Sequence, residues 1–134
     1  MFATFVFGVA VSPLNFYLEA IGCGRVIDGG GGFSVSSYRS NYFIKLSFAH
    51  AAYTSPDKAN EVFDQELNHA VKVIDVTPKI NNEGLTVGRR AVAILFDPEL
   101  NQYYASVFWT EGRFLHSINS SSFVHVTQFE KREF

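Results

Sequence analysis

Three strand-like runs in succession, each separated from the next by turn residues, constrain the fold more than any other feature of the chain. Residues 89–96 are almost continuously apolar, and residues 102–110 and 113–118 are rich in aromatic and aliphatic side chains. Residues 97–101 and 111–112 between them contain Asp, Pro, Asn and Gly, which favour turns. Because short turns join antiparallel neighbours, these runs predict an antiparallel three-strand meander whose first strand lies inside the sheet.

Ser55 and Pro56 mark the start of the main helix. Serine is a favoured N-cap, and proline suits the first helical position because its missing N–H would have no partner there. Apolar residues then recur at three- and four-residue spacing, the period of one helix face, at Ala59, Phe63, Leu67, Ala70 and Ile74. We therefore expect a helix over residues 56–71. The β-branched residues within 72–76 allow either a longer helix or a new strand, and Pro78 is expected to end that element.

The three serines at 120–122 offer N-caps for a closing helix over residues 122–131. Together these elements predict one α+β domain over residues 1–134: an antiparallel sheet with a C-terminal meander, one main helix and a short closing helix packed on it. The expected order, β-α-β-β-α-β-β-β-α, is compatible with profilin- or roadblock-like sandwiches and with a cone-shaped sheet of the nuclear-transport-factor kind. Both analogies rest on element order alone and leave the function open.

The first fifty residues carry weaker signals. Residues 2–11 are rich in Phe and Val and suit a buried strand, whereas a Ser-Pro start and a glycine stop predict a short helix over residues 13–21. The glycines at 29–32 indicate a loop, because glycine loses much entropy in a regular element. Residues 33–37 and 42–48 are expected to pair as a hairpin, since the second run alternates cleanly between two faces.

The charge of the chain argues against nucleic-acid binding and against polybasic membrane attachment. The formal net charge is −2, and Lys and Arg are scattered rather than gathered into a stripe that could neutralise phosphates. Cys23 is the only cysteine, so neither an internal disulfide nor a thiolate zinc site is expected. The glycines at 29–32 lack the Gly-Lys-Ser/Thr ending of a phosphate loop, and no cofactor is predicted.

The start of the chain leaves export open as an alternative. Residues 1–18 are mostly apolar, but no Lys or Arg precedes Arg25, so the positively charged start of a signal peptide is missing. Pro13 and Glu19 interrupt the run before the roughly 20 residues that a transmembrane helix needs. The sequence therefore favours a cytoplasmic protein without a transmembrane span. The alternative is that residues 1–22 are a processed or membrane-proximal segment.

The candidate catalytic residues are Glu66, His69 and His116. Glu66 and His69 lie one turn apart on the predicted main helix, with Glu66 inside the apolar stripe and His69 at its edge. A half-buried carboxylate oriented by the histidine could act there as a base. The alternative is a surface Glu–His pair at the margin of the apolar stripe. Glu-x-x-His spacing also occurs in di-iron bundles, but they need it twice, so no metal site is predicted. His116 shares a strand face with Phe114 and Ile118 and would join the site if it faced the same cavity.

The candidate ligand-binding or interface residues are Arg89, Arg90, Tyr103, Tyr104 and Trp109. Consecutive strand residues point to opposite faces, so one of the two arginines could anchor an anion. Tyr103 and Trp109 line one face of the next strand and Tyr104 lines the other, which makes both faces apolar. Either a helix covers each face or one face meets a partner. A second copy of the chain is the most economical partner, so a homodimer is expected.

These patterns predict a non-catalytic binding or assembly module that associates with itself and holds an apolar small molecule through an aromatic sheet face. One alternative is a small pocket enzyme in which Glu66 or His69 is the base and Arg89 or Arg90 anchors an anion. Another alternative is an exported or envelope-associated protein. The enzyme requires its candidate acid and base residues to line one concave pocket, which only the folded geometry can show.

Overall fold

The computed structural model describes residues 4–6, 9–11, 13–25 and 30–134. Two of the strands, β1 and β2, pair with each other, and the remaining seven form one antiparallel sheet in the order β3-β4-β5-β9-β8-β7-β6. This is an α+β fold, as predicted. The elements in chain order are β1 (Thr4–Val6), β2 (Val9–Val11), β3 (Phe16–Arg25), β4 (Gly30–Ser40), β5 (Lys45–Tyr53), α1 (Pro56–His69), β6 (Lys72–Ile80), β7 (Thr86–Asp97), β8 (Gln102–Glu111), β9 (Phe114–Ser120) and α2 (Phe123–Glu133).

The predicted C-terminal meander is confirmed as β7, β8 and β9. Each strand pairs with the next along most of its length, which places Trp109 opposite Arg90 on one side and opposite His116 on the other. Gly112 has a φ of 58° in the turn between β8 and β9, a conformation that glycine adopts without strain. The last strand then pairs with β5, and this one pairing joins the first three strands of the sheet to the last four.

The main helix begins as predicted and ends two residues early. The Ser55 hydroxyl accepts a hydrogen bond of 3.1 Å from the backbone N–H of Lys58, and Pro56 follows in the first turn. After His69 the chain enters β6, so the strand alternative for the following residues is correct. Pro78 lies inside β6 and does not end it. Proline is tolerated there because β6 is an edge strand, where its missing N–H leaves no carbonyl of a neighbouring strand without a donor.

The predicted helix over residues 13–21 is wrong, because Phe16–Arg25 is the edge strand β3. Gly22 lies in that strand, opposite Val35, instead of ending a helix. The predicted glycine loop is also wrong for residues 30–32, which begin β4, while Gly29 lies outside the described residues. Pairing with neighbouring strands has overridden the local signals.

The rest of the N-terminal prediction is correct in part. In place of one strand over residues 2–11, the described residues form two short strands, β1 and β2, that pair with each other; residues 2–3 and 7–8 lie outside the described part. The hairpin is present as β4 and β5, with longer strands and a turn at residues 41–44. Asn41 fixes this turn to the preceding segment, because its side chain donates to the carbonyl of Pro13 over 2.8 Å.

The two helices cover opposite faces of the sheet. Neighbouring residues of β7 alternate between the faces, so that Ala91 packs under α1 and Val92 packs under α2. The cluster under α1 contains Phe63, Ala91, Ala93, Leu95 and Phe108. The cluster under α2 contains Leu46, Val92, Ala105, Val107, Trp109, Ile118, Val126 and Phe129. A helix on each side therefore explains why the central strands are apolar on both faces.

Within the described ranges, no helix is both long enough and apolar enough to cross a membrane.

Candidate functional site

A cavity of about 370 Å³ lies beside α1, on the face of the sheet that this helix covers. Strands β5, β8 and β9 form its floor, and Val62 and Glu66 of α1 form one wall with Phe33 of β4 opposite. The polar residues that line it are His50, Tyr53, Glu66, Tyr104, Ser106, Ser117 and Asn119. Apolar walls with a few converging polar groups are typical of small-molecule sites.

Small side chains on adjacent strands create the space. Ala49 lies opposite Ser117 across the β5–β9 pairing, and Ser106 lies opposite Asn119 across the β8–β9 pairing. Farther along α1 the same layer is filled, because the rings of Phe63 and Phe108 pack with centroids 5.1 Å apart. The helix is therefore held away from the floor by its aromatic contact and leaves the region above the small residues open.

Glu66 lies between two tyrosines of the cavity wall. Burial raises the pKa of Tyr53, and the Glu66 carboxylate raises it further, whereas Lys58 lowers it. Burial also raises the pKa of Tyr104, with additional contributions from Glu66 and Asp97. Both phenols are therefore neutral hydrogen-bond donors at neutral pH, on either side of one carboxylate.

The structure does not bring the three catalytic candidates together. Glu66 lines the cavity, but His69, the last residue of α1, is exposed and is not part of the cavity wall. His116 lies on the opposite face of the sheet, stacked on Trp109 at 5.1 Å, with its Nδ1 2.9 Å from Nδ1 of His50. Burial and the neighbouring His50 lower the pKa of His116 to about 4, so this imidazole is neutral at physiological pH.

Both candidate arginines hold a helix on the sheet instead of facing a cavity. Their side chains point to opposite faces, as predicted. Arg89 lies over the ring of Phe63 at 4.4 Å, and its Nη2 is 2.9 Å from Asp64 Oδ1 on α1. Arg90 donates two hydrogen bonds, of 2.8 and 2.6 Å, to the carboxylate of Glu130 on α2. That hydrogen-bonded pairing raises the pKa of Arg90.

The three aromatic candidates of β8 have different environments. Trp109 is fully buried in the cluster under α2, and its Nε1 donates to Glu111 over 3.0 Å, so it is not available to a ligand. Tyr104 lines the cavity beside α1. Tyr103 is exposed and lines a larger, more open groove of about 980 Å³ at the ends of the strands, next to Phe43. Of these three residues, only Tyr104 therefore lines the cavity beside α1.

Sequence reasoning missed Tyr53, Ser106 and Ser117 as parts of the site. Ser106 and Ser117 are small residues at strand positions where larger side chains would be expected. These small residues were the available sequence signal for a cavity. Recognising it required the pairing of β5 with β9, which brings residues 46–52 beside residues 114–120.

No group of three or more His, Cys, Asp or Glu side chains in the described part of the chain is arranged to hold a metal ion. Comparison of the chain with models of protein families, with curated proteins and with solved structures gives no match in any of the three.

Proposed function

We propose that this protein is a non-catalytic binding module that holds a small, largely apolar molecule in the cavity beside α1. The observation that carries the proposal is the cavity itself, about 370 Å³ in volume and walled by Phe33, Val62 and Phe108. Ligand cavities usually span roughly 300–1,000 Å³ and combine apolar walls with few polar groups. The site is built on a helix and three strands, which supports a preformed shape over one that assembles on binding.

Binding is favoured over catalysis by the absence of a matched acid and base. Glu66 faces the cavity, but His69 is exposed at the helix end and His116 is on the other side of the sheet. Three other titratable residues line the cavity. Tyr53 and Tyr104 have raised pKa values and hold their protons at neutral pH. The ring of His50 contacts His116, with the two Nδ1 atoms 2.9 Å apart, on the other face of the sheet. The pocket enzyme stays an alternative on one observation, the position of Glu66 in the cavity wall.

The test of this proposal is to fill the cavity. In Ala51→Leu, a cavity-lining side chain is enlarged, and in the matched control Ala52→Leu, the next residue of β5 is enlarged on the opposite face. Indole is titrated into the isotope-labelled protein, and amide chemical shifts are followed by NMR. We expect saturable shifts around α1 and β9 in the wild type and in Ala52→Leu, and their loss in Ala51→Leu. Equal binding by both variants would contradict the proposal.

We also propose that the protein forms a homodimer, and that the contact lies at the β6 edge. The meander faces that motivated the homodimer prediction are covered by α1 and α2, whereas β6 carries the exposed apolar side chains Val73, Ile74, Val76 and Ile80. Pro78 and an irregular register next to Val73 interrupt the edge, which disfavours continuous strand addition. Packing of side chains is therefore the expected mode of contact.

Light scattering after size exclusion tests the homodimer. The double variant Ile74→Lys and Val76→Lys is expected to be a monomer at concentrations where the wild type is a dimer. Leu100→Lys, in the exposed β7–β8 loop, adds a charge at a distant apolar position and serves as the control. A wild-type protein that remains strictly monomeric at millimolar concentration would refute the proposed contact.

A further inference from the structure

We infer that the molecule held beside α1 is an organic cation, a protonated amine carried on an apolar body; this rests on the proposed function and specifies its ligand. The first observation is charge. Glu66 is the only Asp, Glu, Lys or Arg side chain among the residues that line this cavity in the described part of the chain. A cavity with a single carboxylate favours ligands of positive charge and disfavours anions.

The second observation concerns the hydrogen bonds and ion pairs of this carboxylate. No hydrogen bond or ion pair joins Glu66 to another described residue, although its side chain is half-buried. Two cations of this region, one of which lowers the pKa of Tyr53, contact other carboxylates of α1. Lys58 Nζ lies 3.6 Å from Glu61 Oε2, and Arg89 contacts Asp64 at 2.9 Å. A bound ammonium would supply the charge-assisted hydrogen bond that the carboxylate lacks.

The third observation is the aromatic wall around the carboxylate. Phe33, Tyr53, Tyr104 and Phe108 all line the cavity together with Glu66, so four aromatic side chains share the cavity with the carboxylate. Aromatic faces attract cations electrostatically and offer apolar contact to the rest of the ligand. The neutral phenols of Tyr53 and Tyr104 add no charge that would compete. A volume of about 370 Å³ is sufficient for one ring with a short aminoalkyl chain.

The experiment compares three probes of nearly equal size on the full chain: phenethylamine, 2-phenylethanol and 3-phenylpropanoate. Dissociation constants are measured by calorimetry at neutral pH and low salt. A charge-assisted hydrogen bond contributes about 1.5–3 kcal/mol, so the amine should bind roughly 10- to 100-fold more tightly than the alcohol, and the acid most weakly. Glu66→Gln should remove that preference and leave the affinity for the alcohol within about twofold.

The matched control is Glu99→Gln, which makes the same change in net charge at an exposed position outside the cavity. It should keep the preference for the amine. Equal affinity of the wild type for the amine and the alcohol would overturn this inference while the proposed function survives. This measurement uses only the wild-type protein, so it does not depend on whether a variant folds. If none of the three probes binds and Ala51→Leu changes nothing, the inference and the proposed function both fail.

Discussion

Arg90 and Arg89 are consecutive residues with the same chemistry in different surroundings, and this difference predicts their contributions to stability. Arg90 makes two hydrogen bonds to Glu130, and the two side chains are 25% and 16% exposed. Arg89 makes one contact with Asp64, and those side chains are 37% and 56% exposed. Two double-mutant cycles measure each pair: Arg90→Met with Glu130→Gln, and Arg89→Met with Asp64→Asn. Each cycle removes the packing of the individual side chains from the coupling energy.

The coupling energies should differ severalfold. A hydrogen bond to a charged group contributes about 1.5–3 kcal/mol when it is shielded from water, whereas exposed ion pairs contribute roughly 0–1 kcal/mol. The Arg90–Glu130 pair has bidentate geometry, low exposure and a position between β7 and α2, so we expect a coupling of about 2 kcal/mol. The Arg89–Asp64 pair should couple by less than about 0.5 kcal/mol because both side chains are more exposed to water and share a single contact.

Urea unfolding followed by tryptophan fluorescence is the assay. Trp109 is the only tryptophan, is fully buried, and lies 5.0 Å from the ring of Phe134 at the end of α2, so its emission reports the docking of that helix. Glu130→Gln alone should cost more than its coupling energy, since it leaves the guanidinium half-buried without a carboxylate. A larger coupling for Arg89–Asp64 than for Arg90–Glu130 would refute the reasoning from burial and geometry.

Two further predictions concern the sheet. Gly88→Ala should destabilise the protein by about 1–3 kcal/mol, because a Cβ at this position would overlap the backbone oxygen of Thr110. Thermal unfolding of the variant tests this prediction. An unchanged unfolding midpoint would be inconsistent with the overlap. The pKa of His116 is lowered in the folded state to about 4, so the unfolded chain binds the proton more readily, and stability should fall as pH decreases from about 6.5 towards 4. His116→Gln should flatten that pH dependence, whereas the exposed His69→Gln should retain it.

The sequence predicted the C-terminal half of the fold because local and long-range preferences agree there. Ser55 and Pro56 cap a helix whose apolar stripe also fits the sheet, and the turns around Gly112 connect strands that pair directly with each other. At the N-terminus these preferences conflict. The Ser-Pro start and Gly22 favour a helix, but pairing with β4 along nearly the whole strand satisfies more backbone groups and produces β3.

The site was predicted in part for the same reason. The placement of Glu66 within the apolar stripe followed from helical periodicity and is what puts this carboxylate in the cavity wall. The neighbours of Glu66 did not follow from any local pattern. Tyr53 and Ser117 belong to strands whose pairing brings together residues 62 to 74 positions apart, and no periodicity within either strand specifies that partner. The opposite placement of His116 depends on the same pairing.

The β5–β9 pairing also sets how the molecule should open. Each half of the sheet consists of neighbouring strands that can pair locally, but among the described residues only this one ladder connects the halves. The cavity floor straddles the ladder, with Ala49 and Ala51 on one half and Ser106 and Ser117 on the other. A bound ligand would therefore tie the halves together and slow amide hydrogen exchange along β5 and β9 more than along β3 or β6. Ligand binding and the stability of the β5–β9 pairing would then be thermodynamically coupled.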